Sequence, residues 1–148
     1  MKKKNLLTYS IVLAFAIFTA CSSDEIDTEA PRIVVNAPED HAHFHPGDVI
    51  LFNADFSDNV ALKQFKIDIH YGGDHGHKSV SDDDHGHKWS YEHIGDLSGR
   101  EQNVQMNITI PEDTHEGEYH FLVFATDEAG NEAQVVLEIE IEDDHHDH

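Results

Sequence analysis

Residues 117–131, GEYHFLVFATDEAGN, decide how this chain folds. Tyr119, Phe121, Val123 and Ala125 occupy every second position, with polar or smaller residues between several of them. A period of two belongs to an extended strand with one buried face, because successive side chains point to opposite sides of the backbone. Ala129-Gly130-Asn131 then supplies turn chemistry, and Val135, Leu137, Ile139 and Ile141 resume the alternation against Glu138 and Glu140. The stretch therefore reads as a hairpin of two half-buried strands.

The same pattern extends toward the N-terminus. Ile50, Phe52, Ala54 and Phe56 share one face, as do Phe65, Ile67, Ile69 and Tyr71, and again Val104, Met106, Ile108 and Ile110. With short runs near Ile33 and from Trp89 to Ile94, the expected strands are 32–36, 49–57, 62–71, 89–94, 102–110, 117–127 and 132–142. Turn residues separate them at Pro46-Gly47-Asp48, Asp58-Asn59, Gly72-Gly73, Gly95-Asp96 and Pro111-Glu112-Asp113. No segment after Cys21 shows an apolar stripe of helical period. About seven short strands in roughly a hundred residues predict an all-β, immunoglobulin-like antiparallel sandwich, with 89–94 as fourth strand in that order.

The N-terminal segment reads as an address. Lys2, Lys3 and Lys4 precede a mostly apolar run from Leu6 to Phe18, which is a secretory signal rather than a membrane span of about 20 residues. Phe18-Thr19-Ala20-Cys21 resembles a bacterial lipobox, in which Cys21 is lipidated and becomes the mature N-terminus. The plain alternative is an ordinary signal peptide with an incidental cysteine. The chain divides into a signal peptide at 1–20, a lipidated cysteine with an acidic tether at 21–30, the sandwich at 31–142 and a His/Asp tail at 143–148. The acidic tether resembles export signals of outer-membrane lipoproteins, which implies an outer-membrane, lipid-anchored protein that is a candidate for the cell surface.

The whole arrangement is similar to a family of immunoglobulin-like bacterial lipoproteins of unknown function. The last hairpin and Ser57-Asp58-Asn59-Val60-Ala61-Leu62 resemble the corresponding turns of bacterial Ig-like and cadherin-like modules. That likeness implies a fold and brings no catalytic residues with it.

Charge and histidine content narrow the chemistry. Nine Lys and Arg against 30 Asp and Glu give a net charge of −21, which excludes a phosphate-binding face and so nucleic acid. Removing the signal segment takes away three lysines and no acid. Histidine is abundant, with 14 residues, and it is clustered. His41, His43 and His45 alternate along one stretch, and His115 and His120 flank a later connection. Asp74-His75-Gly76-His77-Lys78 repeats ten residues on as Asp84-His85-Gly86-His87-Lys88. The chain closes on His145, His146 and His148 among aspartates. Imidazole is a borderline ligand for zinc, copper and nickel, and is neutral above about pH 6.5. His-x-His held extended presents both rings to one side, and a neighbouring Asp74 or Asp84 can ligate or orient them. Against solvated low-complexity loops, four dense tracts with one duplicated favour metal binding, with zinc as first expectation and copper or nickel as substitutes.

Other chemistries fail on spacing. His115 and His120 are five apart in a strand-entering stretch, whereas the zinc-protease pair needs four on a helix. Neither a nucleophile elbow nor a phosphate loop occurs, so no enzyme is expected. Asp55, Asp58, Asn59, Asp127 and Asn131 could serve calcium, but the same residues are default turn formers and are read as such. His70 is as much a surface residue as a ligand, and His93 is read as packing.

The expected function is a lipid-anchored extracytoplasmic protein that captures or buffers a divalent ion. Its partners would be the ion, the membrane through Cys21, and an outer-membrane receptor or transporter. The alternative is an Ig-like adhesion or glycan-binding module with incidental histidines. In the Ig order, 41–45, 75–87, 115 and the tail fall at one pole, and the tether at the other.

Overall fold

The structure, a computed structural model, describes residues 26–73 and 86–142. Cys21, Asp74, His75, His77, Asp84, His85, His145, His146 and His148 lie outside the described residues. Eight strands form in order: β1 Arg32–Ala37, β2 Ala42–Phe44, β3 Val49–Ser57, β4 Leu62–Tyr71, β5 Ser90–Asp96, β6 Glu101–Thr109, β7 Gly117–Asp127 and β8 Glu132–Ile141. They make two sheets, β1-β3-β6 and β2-β8-β7-β4-β5.

The alternating residues meet between the sheets. Ile50, Phe52, Ala54 and Phe56 of β3 face Ile67, Ile69, Tyr119, Phe121, Val123 and Ala125 of the larger sheet, all buried. Phe52 and Phe121 stack across the gap at 5.9 Å between ring centroids. Burying a side chain of this size stabilises the fold by roughly 1.5–3 kcal/mol relative to exposure.

Two features differ from the sequence expectation. The fourth strand, expected at 89–94, pairs with β4 in the larger sheet rather than with β6. Its seat is made by Gly95, where a Cβ would lie 2.2 Å from Cε1 of Phe65, so only a bare backbone can run beside that ring. Lys66 adds ion pairs to Asp68 and Glu92, and the His93 ring packs 5.7 Å from that of Phe65, the packing role expected for His93. The second difference is β2. Residues 42–44, expected in a connection, form a short strand parallel to β8. The other strand pairs among the described residues are antiparallel. Ala42 and Phe44 pack on the core, while His43 points outward, so the tract obeys strand alternation.

Register fixes the poles. Tyr71 pairs with Tyr119, Gly117 with Ile141, and Phe44 with Ile141, so the end of β4, the start of β7 and the ends of β8 and β2 coincide. Leu62 pairs with Asp127 and Arg32 with Ser57 at the other end. There the segment before β1 lies against the turns, with Asp27 Oδ1 accepting from Asn59 Nδ2 at 3.0 Å.

Candidate metal centre

Histidines 41, 43 and 45, His87 and His115 gather at the first pole. His41 N–H donates to Glu138 O at 2.7 Å as the chain joins β8, and its φ of 60° lies in the left-handed region that side chains rarely adopt. His87 and His115 are brought together by a short parallel bridge between His87 and Thr114, with His115 N donating to His87 O at 2.9 Å. Tyr119, fully buried, ties this end together. Its hydroxyl donates to His115 O at 2.7 Å and accepts from Trp89 N at 3.4 Å, and burial pushes its pKa up.

The imidazoles face carboxylates rather than one another. His41 Nδ1 lies 3.5 Å from Glu138 Oε2 and its Nε2 3.6 Å from Asp40. His43 Nδ1 is 2.9 Å from Glu142 and 3.7 Å from Glu140. His45 Nδ1 is 3.5 Å from Asp48, and the His87 ring extends to within 4.0 Å of Asp113. The His115 ring lies edge-on to Tyr71 at 5.5 Å and its Nδ1 contacts Glu116 O.

Among the described residues, two groups combine one histidine with two glutamates. In each, the ligand atoms lie within 4.8 Å of one another: His43–Glu140–Glu142, which is exposed, and Glu118–His120–Glu138, which is half-buried. The second stands on the outer face of the larger sheet, where cross-strand register sets His70, His120 and Glu138 in one row over β4, β7 and β8. The rings of His70 and His120 are 5.4 Å apart, and His41 abuts Glu138 from the far side. His120 and Glu118 are 33% and 30% exposed against 56% for His43, so these side chains are packed more closely than those at the pole's rim.

Supporting residues fix this row. Gly72 leaves room for the His120 ring, since a Cβ there would come within 2.9 Å of Nε2. Asp68 accepts from His70 Nδ1 at 2.9 Å, and that bond, with the Lys66 ammonium 3.1 Å away, holds Asp68 below the usual carboxylate range despite partial burial. An ionised Asp68 orients the His70 ring and leaves Nε2 for a ligand. Zinc takes N and O ligands at about 2.0–2.2 Å in a tetrahedron. Donor atoms within 4.8 Å of one another would have to draw closer to share such an ion.

Sequence reading did not single out Glu118, Glu138, Glu140 and Glu142 as candidate ligands and left His70 and His120 unassigned. The alternation does place 118 and 120 outward beside 138 and 140. What it lacks is the register that sets His70 beside His120.

A two-layer all-β sandwich of immunoglobulin type, with a pole of histidines set against carboxylates, defines the class. The chain belongs to the family described as Domain of unknown function (DUF4625), whose model matches residues 19–142. No curated protein matches it in sequence. Among solved structures it is similar to wild type OgpA from Akkermansia muciniphila, with 16% identity and a TM-score of 0.50 over 84% of this chain. The chain spans 32% of that OgpA chain, so the likeness is one of fold over about a third of a larger protein. A Niemann-Pick type C2 protein from Japanese carpenter ant aligns at 14% identity and a TM-score of 0.47, over 77% of this chain and 94% of that one.

Proposed function

We propose that this protein is an extracytoplasmic metal-binding protein, lipid-anchored at Cys21, that captures or buffers zinc or a similar divalent ion at its histidine pole. One observation carries the reading: the half-buried Glu118–His120–Glu138 group, with His70 and His41 on either side, on strands rather than loops. Ligands on rigid strands lose little freedom on binding, which favours affinity. The exposed His43–Glu140–Glu142 group and the outlying histidine tracts suit weaker capture and delivery to an outer-membrane receptor or transporter. The strongly acidic surface raises the local cation concentration. Ligation requires neutral imidazole, so affinity falls on acidification. Isothermal titration of zinc into residues 22–148 tests this. His120→Ala is expected to weaken the tightest site about tenfold or more, while His87→Ala leaves it intact. Equal affinity in His120→Ala would overturn the assignment.

The adhesion reading retains one supporting observation. Ile94 and Val136 are each 52% exposed on the outer face of the larger sheet, with Leu122 beside Val136. Val136→Lys would abolish cell or glycan attachment if that face were the working surface, and would leave zinc affinity unchanged.

A further inference from the structure

The opposite pole carries a different donor set. Asp27 comes from the segment before β1, Asp58 from the β3–β4 turn and Asp127 from the end of β7, and one oxygen of each lies within 4.8 Å of the others. Asp127 is fully buried. Burial pushes its pKa up, but hydrogen bonds from the Asn131 side chain and the amides of Asn131, Gly130 and Ala129 outweigh that and hold it below the usual range. A buried carboxylate is costly without a compensating charge, and among the described residues no Lys, Arg or His lies in ion-pair range of these three.

A second observation is independent of the clustering. Asp58 Oδ2 accepts from Val60 N at 2.8 Å and Ala61 N at 2.7 Å. Its other oxygen, Oδ1, is buried with less than 1 Å² accessible and has no hydrogen-bond partner. A fully buried, unpartnered carboxylate oxygen is rare, because it forfeits its hydration for nothing. A cation beside it removes that penalty.

We propose that Asp27, Asp58 and Asp127 form a binding site for a hard divalent cation, calcium by size and chemistry, that fastens the N-terminal tether to the base of the sandwich. All three ligands are oxygens, which suits calcium or magnesium and not the softer ions expected at the histidine pole. Calcium accepts irregular oxygen sets at about 2.3–2.6 Å, whereas magnesium demands near-ideal octahedral geometry at about 2.0–2.1 Å. Asp27 is held in place by Asn59 and by Asn131, whose Nδ2 donates to Asp27 O at 3.2 Å. An ion there links three chain segments and orders the tether where it enters the domain. The site is independent of the zinc reading.

Calcium is titrated calorimetrically into residues 22–148 at pH 7, with magnesium in parallel, and into Asp27→Asn, Asp58→Asn and His120→Ala. Saturable binding near one equivalent is expected, weakened about tenfold or more in both aspartate variants and unchanged in His120→Ala. In Asp58→Asn the side-chain amide oxygen can still accept from the two turn amides, so the fold is kept. Should Asp58→Asn fail to fold, Asp27→Asn, outside the sandwich, decides. Absence of saturable binding at millimolar calcium, equal affinity in Asp27→Asn, or loss of affinity in His120→Ala would each overturn the proposal.

Discussion

The two poles of this sandwich are built from the same strands and offer opposite chemistry. At one, His41, His43, His70 and His120 face glutamates and aspartates in largely exposed or half-buried positions. At the other, Asp58 and the buried Asp127 meet Asp27 with oxygen donors alone. Imidazole nitrogens suit borderline ions such as zinc. An all-carboxylate set suits a hard ion such as calcium. One scaffold can hold both because its strands are long enough to separate their ends and its register is continuous between them.

The largest expected effect breaks both poles together. Phe121→Ala removes a fully buried ring stacked on Phe52, at a cost of about 3–5 kcal/mol in denaturant unfolding. Zinc and calcium binding should then be lost in parallel with β-sheet circular dichroism. Retention of either ion by an unfolded chain would show that its pole needs no scaffold.

Tyr119→Phe should cost about 1–2 kcal/mol, since the buried hydroxyl joins the His115 carbonyl to the Trp89 amide. Its effect on binding should be confined to the histidine pole. Gly72→Ala is a sharper probe of that pole. The added methyl would press on the His120 ring, which can rotate away, so zinc affinity should drop several-fold for roughly 0.5 kcal/mol or less of stability. Calorimetry and thermal melts on one sample separate the two effects.

The smallest effect concerns acid. The folded Asp68 titrates below its unfolded value, so its contribution is present in full above about pH 4 and is lost as pH falls through the folded pKa. Asp68→Asn should therefore lower stability by about 0.5 kcal/mol at pH 7 and by little at pH 2–3. Unfolding curves for both proteins across that range measure it, and a constant difference would contradict the His70–Asp68–Lys66 arrangement.

Much of the fold was legible in the sequence. The period-two positions of β3, β4, β6, β7 and β8 match the buried residues, because a half-buried strand has no other way to divide its side chains. β2 was concealed by its histidines. Ala42 and Phe44 alternate with His41, His43 and His45, but three residues give too short a run to separate strand from loop. The seat of β5 beside β4 requires a glycine against the Phe65 ring, which composition does not advertise.

The sequence by itself determined that this is an acidic, all-β chain rich in imidazole, because charge, period and residue count are properties of the chain order alone. Tertiary structure decided which donors meet. Glu138 lies 18 residues from His120 and 68 from His70, and only the pairing of β4, β7 and β8 sets them in one row. Asp27 likewise joins Asp58 and Asp127 only because β1 begins at the pole where both turns lie. Ligation needs atoms within a few ångströms, and in an antiparallel sandwich that proximity is set by register between distant strands, which local sequence does not encode.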